Sequence, residues 1–239
     1  MEKMYLNNHS YYSLRYGTMD IGKLIEQARE NGVRAMALTD INNTMGMLDF
    51  VKICLENGIY PIAGIEFRDG DRYLYTGLAR NNHGFQLMNE FLSLCNEKKE
   101  DLPVRAPKLD DVWFVYSWEN RPENLRENEL VGITPRDIKR LHSSPLRHAQ
   151  HKLIVWHPVS FSHRDEYEIH RHLRAIDHNT LLNKLEPANL ASEQEMMVPL
   201  DLLLIAYEDY PGIIRNTENL IADCHISFDF KSVKNKKCF

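Results

Sequence analysis

The sequence has no apolar run that approaches the roughly 18 residues needed to cross a membrane. Residues 1–5, MEKMY, also lack the basic and then apolar order of a secretory signal. These two absences predict a cytoplasmic protein with no membrane partner.

Cysteine is scarce, and none of the residues forms a C-x-x-C pair. The four lie far apart, at Cys54, Cys95, Cys224 and Cys238. We therefore expect reduced, mostly buried thiols rather than a disulfide framework.

An excess of positive charge is missing as well, because the formal net charge is −5. Proteins that hold nucleic acid by themselves concentrate Lys and Arg on one face, so this balance argues against direct DNA binding by this chain alone. The exception is residues 231–239, KSVKNKKCF, which are locally basic. They close no helix or strand, which predicts a domain at 1–228 and a basic linker at 229–239 leading into a longer chain.

The composition is that of an ordinary globular protein, with 43% hydrophobic and 26% charged residues. In the first third, strand and helix signals alternate with short connections. Thr18 is placed to cap a helix, and a second helix has Leu48, Val51 and Leu55 on one stripe. We expect strands at 33–39, 59–67, 73–78, 112–116, 130–133 and 153–156, and later helices at 84–96, 165–176, 199–207 and 211–224.

Strands that alternate with helices predict an α/β fold with a parallel sheet, either open or closed into a barrel. Notable polar residues follow the first three strands: Asn7 and His9, then Asp40, then Glu66. In a barrel the chemistry gathers at the carboxyl ends of the strands, so these side chains are candidate site residues.

Five segments carry a resemblance to a known family. They are LNNHSYYSL at 6–14, ALTDINNTMG at 37–46, PIAGIE at 61–66, GLARNNHGF at 77–85 and YPGIIRNTENLIADC at 210–224. Together they resemble the polymerase and histidinol phosphatase (PHP) domain, in the version found at the amino terminus of bacterial DNA polymerase III alpha subunits. Residues 171–182, RHLRAIDHNTLL, favour the accessory, error-prone branch of those subunits.

The resemblance implies a distorted, seven-stranded (β/α) TIM-like barrel with up to three divalent metals at its carboxyl end. Active members hydrolyse phosphoesters, in polymerases as a 3′ to 5′ exonuclease. Clustered cations lower the pKa of a bound water and offset the charge on the transferring phosphoryl group.

Few of the metal ligands implied by the resemblance are present. His9, Asp40 and Glu66 match ligand positions and form a vestigial metal set. The positions that no longer match are Asn7, Tyr16, Ile41, Pro158 and Ser160, with His157 beside the last two. No ligand candidate stands out near Ser117 and Trp118. We therefore expect no cofactor in this segment, or at most one weakly bound divalent metal.

Each retained residue also has a purely structural interpretation. His9 is better explained by a hydrogen-bonded imidazole in a disused pocket, and Asp40 by capping of the next turn or helix. For Glu66, a pair with Arg68 or another basic residue at the barrel mouth explains the residue as well as metal binding does. His170, His172 and His178 look like a cluster beside Arg171 and Arg174. On a helix, His170 shares a face with Arg174 but not with His172, so a three-histidine metal site is not expected. A solvated basic face, or a contact with the rest of a polymerase, is the preferred interpretation there.

The sequence leads to one hypothesis and two alternatives. The first is the amino-terminal PHP domain of a DNA polymerase III alpha subunit, a nucleotidyltransferase of DNA replication or repair, in which this segment is an inactive structural platform. Its partners would be the rest of the alpha chain, other replication or repair subunits, and DNA through the parent protein, whose polymerase site would use Mg²⁺. The alternatives are an active metal-dependent phosphoesterase and a free-standing scaffold.

Overall fold

The computed structural model describes residues 4–232. Within these residues nine strands run in chain order: β1 Met4–Tyr5, β2 Asn7–Asn8, β3 Ala35–Leu38, β4 Tyr60–Asp69, β5 Arg72–Ala79, β6 Val112–Tyr116, β7 Glu129–Ile133, β8 Leu153–Val155 and β9 Pro158–Val159. The same part of the chain contains seven α-helices: α1 Ile21–Glu30, α2 Met47–Glu56, α3 Asn82–Lys98, α4 Ile138–Leu141, α5 Arg164–Asp177, α6 Leu200–Ile205 and α7 Pro211–Ala222.

The main sheet has seven strands in the order β1-β3-β4-β5-β6-β7-β8. Its pairings are parallel except for those of β5, which is antiparallel to β4 and to β6. A second, two-stranded sheet pairs β2 with β9 in parallel, with Asn7 opposite Pro158. Because β2 continues β1 and β9 continues β8, this short pair joins the first and last strands at their carboxyl ends. The fold is the expected α/β, curled, seven-stranded barrel-like architecture.

The strands are buried on both faces, as parallel strands covered by helices are expected to be. One hydrophobic cluster joins strand residues to α1 and α2, through Leu24 and Phe50. A second contains alternate strand residues such as Ala35 and Ala37 together with Leu220 of α7. The polar residues at the strand ends are thus held on a rigid scaffold.

The cap of α1 and the buried face of α2 both differ from the expectations. Asp20, not Thr18, caps α1, and its carboxylate accepts from the backbone N–H of Lys23 at 2.9 Å. In α2 the buried stripe is Met47, Phe50, Val51 and Cys54, whereas Leu48 and Leu55 are exposed. Val51 is buried as predicted, but Leu48 and Leu55 are apolar residues on the exposed face, so periodicity alone does not select the buried stripe.

Cys54, Cys95 and Cys224 are free and buried, as expected, while Cys238 lies outside the described residues. The predicted linker at 229–239 is described only as far as residue 232. Within the part of the chain that the structure describes, no helix is both long and apolar enough to span a membrane.

Candidate functional site

The carboxyl ends of the first strands bring Asn7, His9 and Glu66 together. Asn7 lies in β2, His9 directly follows it, and Glu66 lies in β4 next to a β-bulge at Phe67. All three side chains are almost fully buried, with Asn7, His9 and Glu66 each about 1% exposed. We call this end of the barrel the mouth.

Glu66 is the centre of the mouth. Its Oε2 accepts from Asn7 Nδ2 at 2.8 Å, and its Oε1 accepts from Arg68 Nε at 2.5 Å. Burial opposes ionisation of Glu66, but the charge of Arg68 and the contacts of His9 and Asn7 outweigh it and hold the pKa of this carboxyl well below its usual range. The pairing of Glu66 with Arg68, one of the two interpretations of Glu66, is therefore present.

The ring of His9 is oriented by a chain of two hydrogen bonds. Ser160 Oγ donates to Glu195 Oε2 at 2.7 Å, so its oxygen is free to accept from His9 Nδ1–H, which lies 3.0 Å away. His9 Nε2 is directed toward Glu66 Oε2 at 3.1 Å, but it is not aligned as a hydrogen bond. Glu195 lies far from the motifs in sequence, and no local signal marked it.

The Asp40 carboxylate is held by neutral donors, and Asp40 is linked to Glu66 only through the backbone, where the Glu66 N–H donates to the Asp40 carbonyl at 3.3 Å. Its Oδ1 accepts from the Ser10 backbone N–H at 2.7 Å and from Ser13 Oγ at 2.6 Å, and its Oδ2 accepts from Ser10 Oγ at 2.7 Å. Burial raises the pKa of Asp40, and these hydrogen bonds only partly counter it. Asp40 thus caps the preceding loop, rather than the next turn or helix.

Three of the positions that no longer match the ligand pattern, Tyr16, Ile41 and Pro158, are apolar or aromatic. Tyr16 is buried, with its ring edge-on to His9 at 5.4 Å between centroids, and the guanidinium of Arg68 lies over it at 4.2 Å. Ile41 lines the same cleft beside Tyr16 and Arg68. Pro158 is fixed opposite Asn7 in the closing strand pair.

The other residues weighed from the sequence lie apart from the mouth's polar centre. His157 Nε2 bonds to the carbonyl of Met196 at 2.9 Å, and burial lowers its pKa. Ser117 Oγ accepts from the backbone of Asn120, and Trp118 is buried with the guanidinium of Arg121 over its ring.

A second polar cluster at the mouth was not predicted. Arg174 donates to Asp71, and to Asp177 at 2.6 Å, while His178 Nε2 lies 2.8 Å from Asp71 Oδ2. Ligand atoms of Asp71, Asp177 and His178 lie within 4.8 Å of one another, a spacing that could hold a metal ion. These residues line a cleft of about 260 Å³ together with Tyr16 and Arg68.

The expectation of a solvated basic face on α5 is wrong for its central residues. His170 and Arg174 do share a face, but that face is buried, at 0% and 3% exposure. The backbone N–H of Ala191 donates to His170 Nε2, so Nδ1 carries the proton and donates to the Tyr16 carbonyl. Burial lowers the pKa of His170 to about 4. His172 instead lies near the carbonyl of Glu168, so the three histidines do not converge.

The donor set does not fit a cluster of two or three divalent metals. In favour of a metal, Asn7 Oδ1 and His9 Nε2 are buried and have no hydrogen-bond partner among residues 4–232. Against it, Glu66, Asp71 and Asp177 each already contact an arginine guanidinium. Asp40 accepts from Ser10 and Ser13, so these four carboxylates already have partners within the chain, whereas several cations would need them as ligands.

Comparisons with known proteins agree with this fold. A family model described as the PHP domain matches residues 6–128, just over half of the chain. DNA polymerase III subunit alpha of Halalkalibacterium halodurans is 24% identical over 263 residues, covering 95% of this chain and 23% of that protein. The same subunit of Neisseria meningitidis serogroup A is 23% identical over 271 residues, covering 92% of this chain and 23% of that protein.

Among solved structures, a Bifidobacterium adolescentis protein assigned as a metal-dependent phosphoesterase is 14% identical, with a TM-score of 0.35, covering 88% of this chain and 98% of that one. The chain spans less than a quarter of the curated relatives named above. By the family match and its motifs, the chain belongs to the PHP domain family.

Proposed function

We propose that the chain is the amino-terminal PHP barrel of a DNA polymerase III alpha subunit, in which it serves as a structural platform and not as a hydrolase. The similarity to alpha subunits over 92–95% of this chain supports the assignment. The observation that carries the platform role is the state of the mouth. Its central carboxylate, Glu66, is bound by the guanidinium of Arg68, where an active centre needs it to bind metal.

The parent protein would be a nucleotidyltransferase acting in DNA replication or repair, with its polymerase site and Mg²⁺ ions outside this segment. The partners would be the rest of the alpha chain and other replication or repair subunits, with DNA bound through the parent. Residues 1–228 would form the barrel and 229–239 the linker toward the polymerase region. The error-prone branch remains our preference, on the 171–182 segment.

The first test combines metal content with hydrolysis. The purified protein is incubated with Zn²⁺ or Mn²⁺, freed of unbound metal, and assayed by metal analysis and with a chromogenic phosphodiester. We expect less than one tightly held ion per chain and a rate equal to that of the Glu66→Gln variant. Two bound ions, with turnover that Glu66→Gln abolishes, would contradict the platform role.

A second candidate function, metal-dependent phosphoester hydrolysis, is favoured by one observation. Asn7 Oδ1 and His9 Nε2 are buried and have no hydrogen-bond partner among the described residues, and both residues contact Glu66 Oε2, Asn7 through Nδ2 and His9 through Nε2. A single ion would satisfy the two unbonded atoms. The same assay separates this candidate from the platform, because hydrolysis requires turnover that depends on Glu66.

The free-standing scaffold differs from the polymerase platform only in what accompanies the barrel. Reading the coding sequence beyond Phe239 tests it directly. A continuous reading frame with palm carboxylates supports the polymerase assignment, and a stop codon after Phe239 favours the scaffold.

A further inference from the structure

Two arginines contact the carboxylates of the mouth: Arg68 binds Glu66, and Arg174 binds Asp71 and Asp177. We propose that Arg68 and Arg174 are built-in replacement cations: their guanidiniums hold the mouth carboxylates together in place of metal ions, and the ring of Tyr16 supports both. This inference rests on the proposed function, because it assumes a mouth without a metal cluster.

Arg68 provides the first argument. Its side chain is 11% exposed, and its Nε binds Glu66 Oε1 at 2.5 Å on the side of the carboxylate away from Asn7. A buried carboxylate without a compensating charge is strongly unfavourable, so Glu66 requires a cation from some source. The chain supplies that cation two residues along the same strand.

Arg174 repeats the arrangement at the outer cluster. Its side chain is 4% exposed, and it binds both Asp71 and Asp177, while its Nη2 lies 2.9 Å from His178 Nε2. The guanidinium therefore contacts all three of the residues whose spacing could hold a metal ion. A metal and the present Arg174 conformation cannot share those atoms.

Tyr16 links the two arginines. The Arg68 guanidinium carbon lies 4.2 Å from the centre of its ring, and that of Arg174 lies 5.6 Å from it. An aromatic face attracts a guanidinium and cannot ligate a divalent metal. Tyr16 occupies one of the positions that no longer match the ligand pattern, and its ring there favours a guanidinium over a metal.

Removal of the Arg68 guanidinium should therefore leave a site that binds a metal cation. Glu66 Oε1 would then lose its partner, in the same buried region as Asn7 Oδ1 and His9 Nε2, which have no hydrogen-bond partner among the described residues. A mixed nitrogen and oxygen set of this kind suits Zn²⁺ or Mn²⁺. The wild-type protein should be indifferent to the same ions.

The experiment measures the thermal midpoint with EDTA or with about 0.5 mM Zn²⁺ or Mn²⁺, a concentration meant to exceed the Kd many-fold. The wild-type midpoint should not change between these conditions. Arg68→Met should lower the midpoint by roughly 10 °C, since it leaves Glu66 buried without its charge partner. Either metal should restore roughly half of that loss, and metal analysis should find one ion bound.

Arg80 provides a matched control on the outer surface. It also binds a carboxylate, Asp223, at 2.6 Å and lies over an aromatic ring, that of Trp113, at 5.5 Å. The thermal midpoint of Arg80→Met should not depend on metal. Among the described residues, the buried polar atoms without a hydrogen-bond partner do not include any atom of Asp223 or Trp113.

A further variant keeps the test decisive if Arg68→Met does not fold. Arg68→Met combined with Glu66→Gln removes both charges, so it should be more stable than Arg68→Met and should not respond to metal. A single Arg68→Met variant as stable as wild type, or one that folds but ignores both metals, overturns the inference and leaves the platform role standing. Two ions and Glu66-dependent turnover in the wild type would instead overturn the platform role itself.

Discussion

Asp40 follows β3 and Glu66 lies in the neighbouring β4, and each is about 1% exposed, yet they are stabilised in opposite ways. Asp40 is surrounded by neutral donors from Ser10 and Ser13. Glu66 is bound by a guanidinium and by an amide. The comparison shows that burial alone does not decide the charge state of a carboxyl group, because the charge of its partners does.

The two carboxyls should therefore respond to pH with opposite signs. The pKa of Glu66 is lowered, so its contribution to folding is present above its ordinary pKa and is lost as the pH falls. The pKa of Asp40 is raised, so its charged form destabilises the fold at neutral pH, and acidification relieves that cost.

The largest expected loss of stability comes from removing the carboxylate of the Glu66–Arg68 pair. Glu66→Gln leaves Arg68 buried without a carboxylate and should lower the free energy of unfolding by about 3–5 kcal/mol. Urea denaturation at neutral pH measures it. A loss below about 1 kcal/mol would mean that the pair behaves like an exposed one, against the burial described above.

His170 extends the comparison to a buried group without a charged partner. Its pKa is lowered from 6.5 to about 4, so its stabilising contribution is complete above pH 6.5 and is lost as the pH falls toward 4, by roughly 3 kcal/mol. His170→Gln should flatten the pH dependence of the free energy of unfolding in this interval. Exposed His172→Gln serves as the control, and an identical slope in both variants would contradict the assignment.

Asp40→Asn sharpens the contrast with Glu66. The amide keeps one oxygen that can accept from Ser10 or Ser13 and removes an unfavourable buried charge, so the loss should be about 1–2 kcal/mol. The same urea measurement applies, with Glu66→Gln alongside. If Asp40→Asn lowered the free energy of unfolding as much as Glu66→Gln, neutral donors and a guanidinium would stabilise a buried carboxylate equally, against this comparison.

The smallest effect is expected where a guanidinium pair reaches solvent. Arg15 Nη1 contacts Asp177 Oδ1 at 2.9 Å, but the Arg15 side chain is 57% exposed. Arg15→Ala should change the free energy of unfolding by less than about 1 kcal/mol. Arg174→Ala, which removes the buried guanidinium on the same carboxylate, should cost several times more in the same assay.

The sequence predicted the scaffold well, because strand and helix signals are local. The strand at 112–116 is found as predicted, and the others differ by a few residues at their ends. The sequence also predicted that Asn7, His9 and Glu66 lie close together, since parallel strands bring their carboxyl ends to one edge. The site-residue assignment itself stays a prediction until metal binding is measured.

The unpredicted parts of the mouth depend on contacts between distant segments. Arg174 reaches Tyr16 and Asp71 from α5, and Glu195 reaches Ser160 from a later loop. No spacing rule connects such residues before the fold is known. The pair of Arg68 with Glu66 could be predicted, because the two residues are two positions apart on one strand and so share a face.

The pairing of β2 with β9 bears on how the chain reaches its folded state. It ties residues 7–8 to residues 158–159, and His9 donates its backbone N–H to Val159 at 2.8 Å. During synthesis β2 therefore cannot pair with β9, and stays exposed, until about two thirds of this sequence has left the ribosome. Such a late, long-range closure slows folding and makes the amino-terminal strand the segment most in need of protection from aggregation.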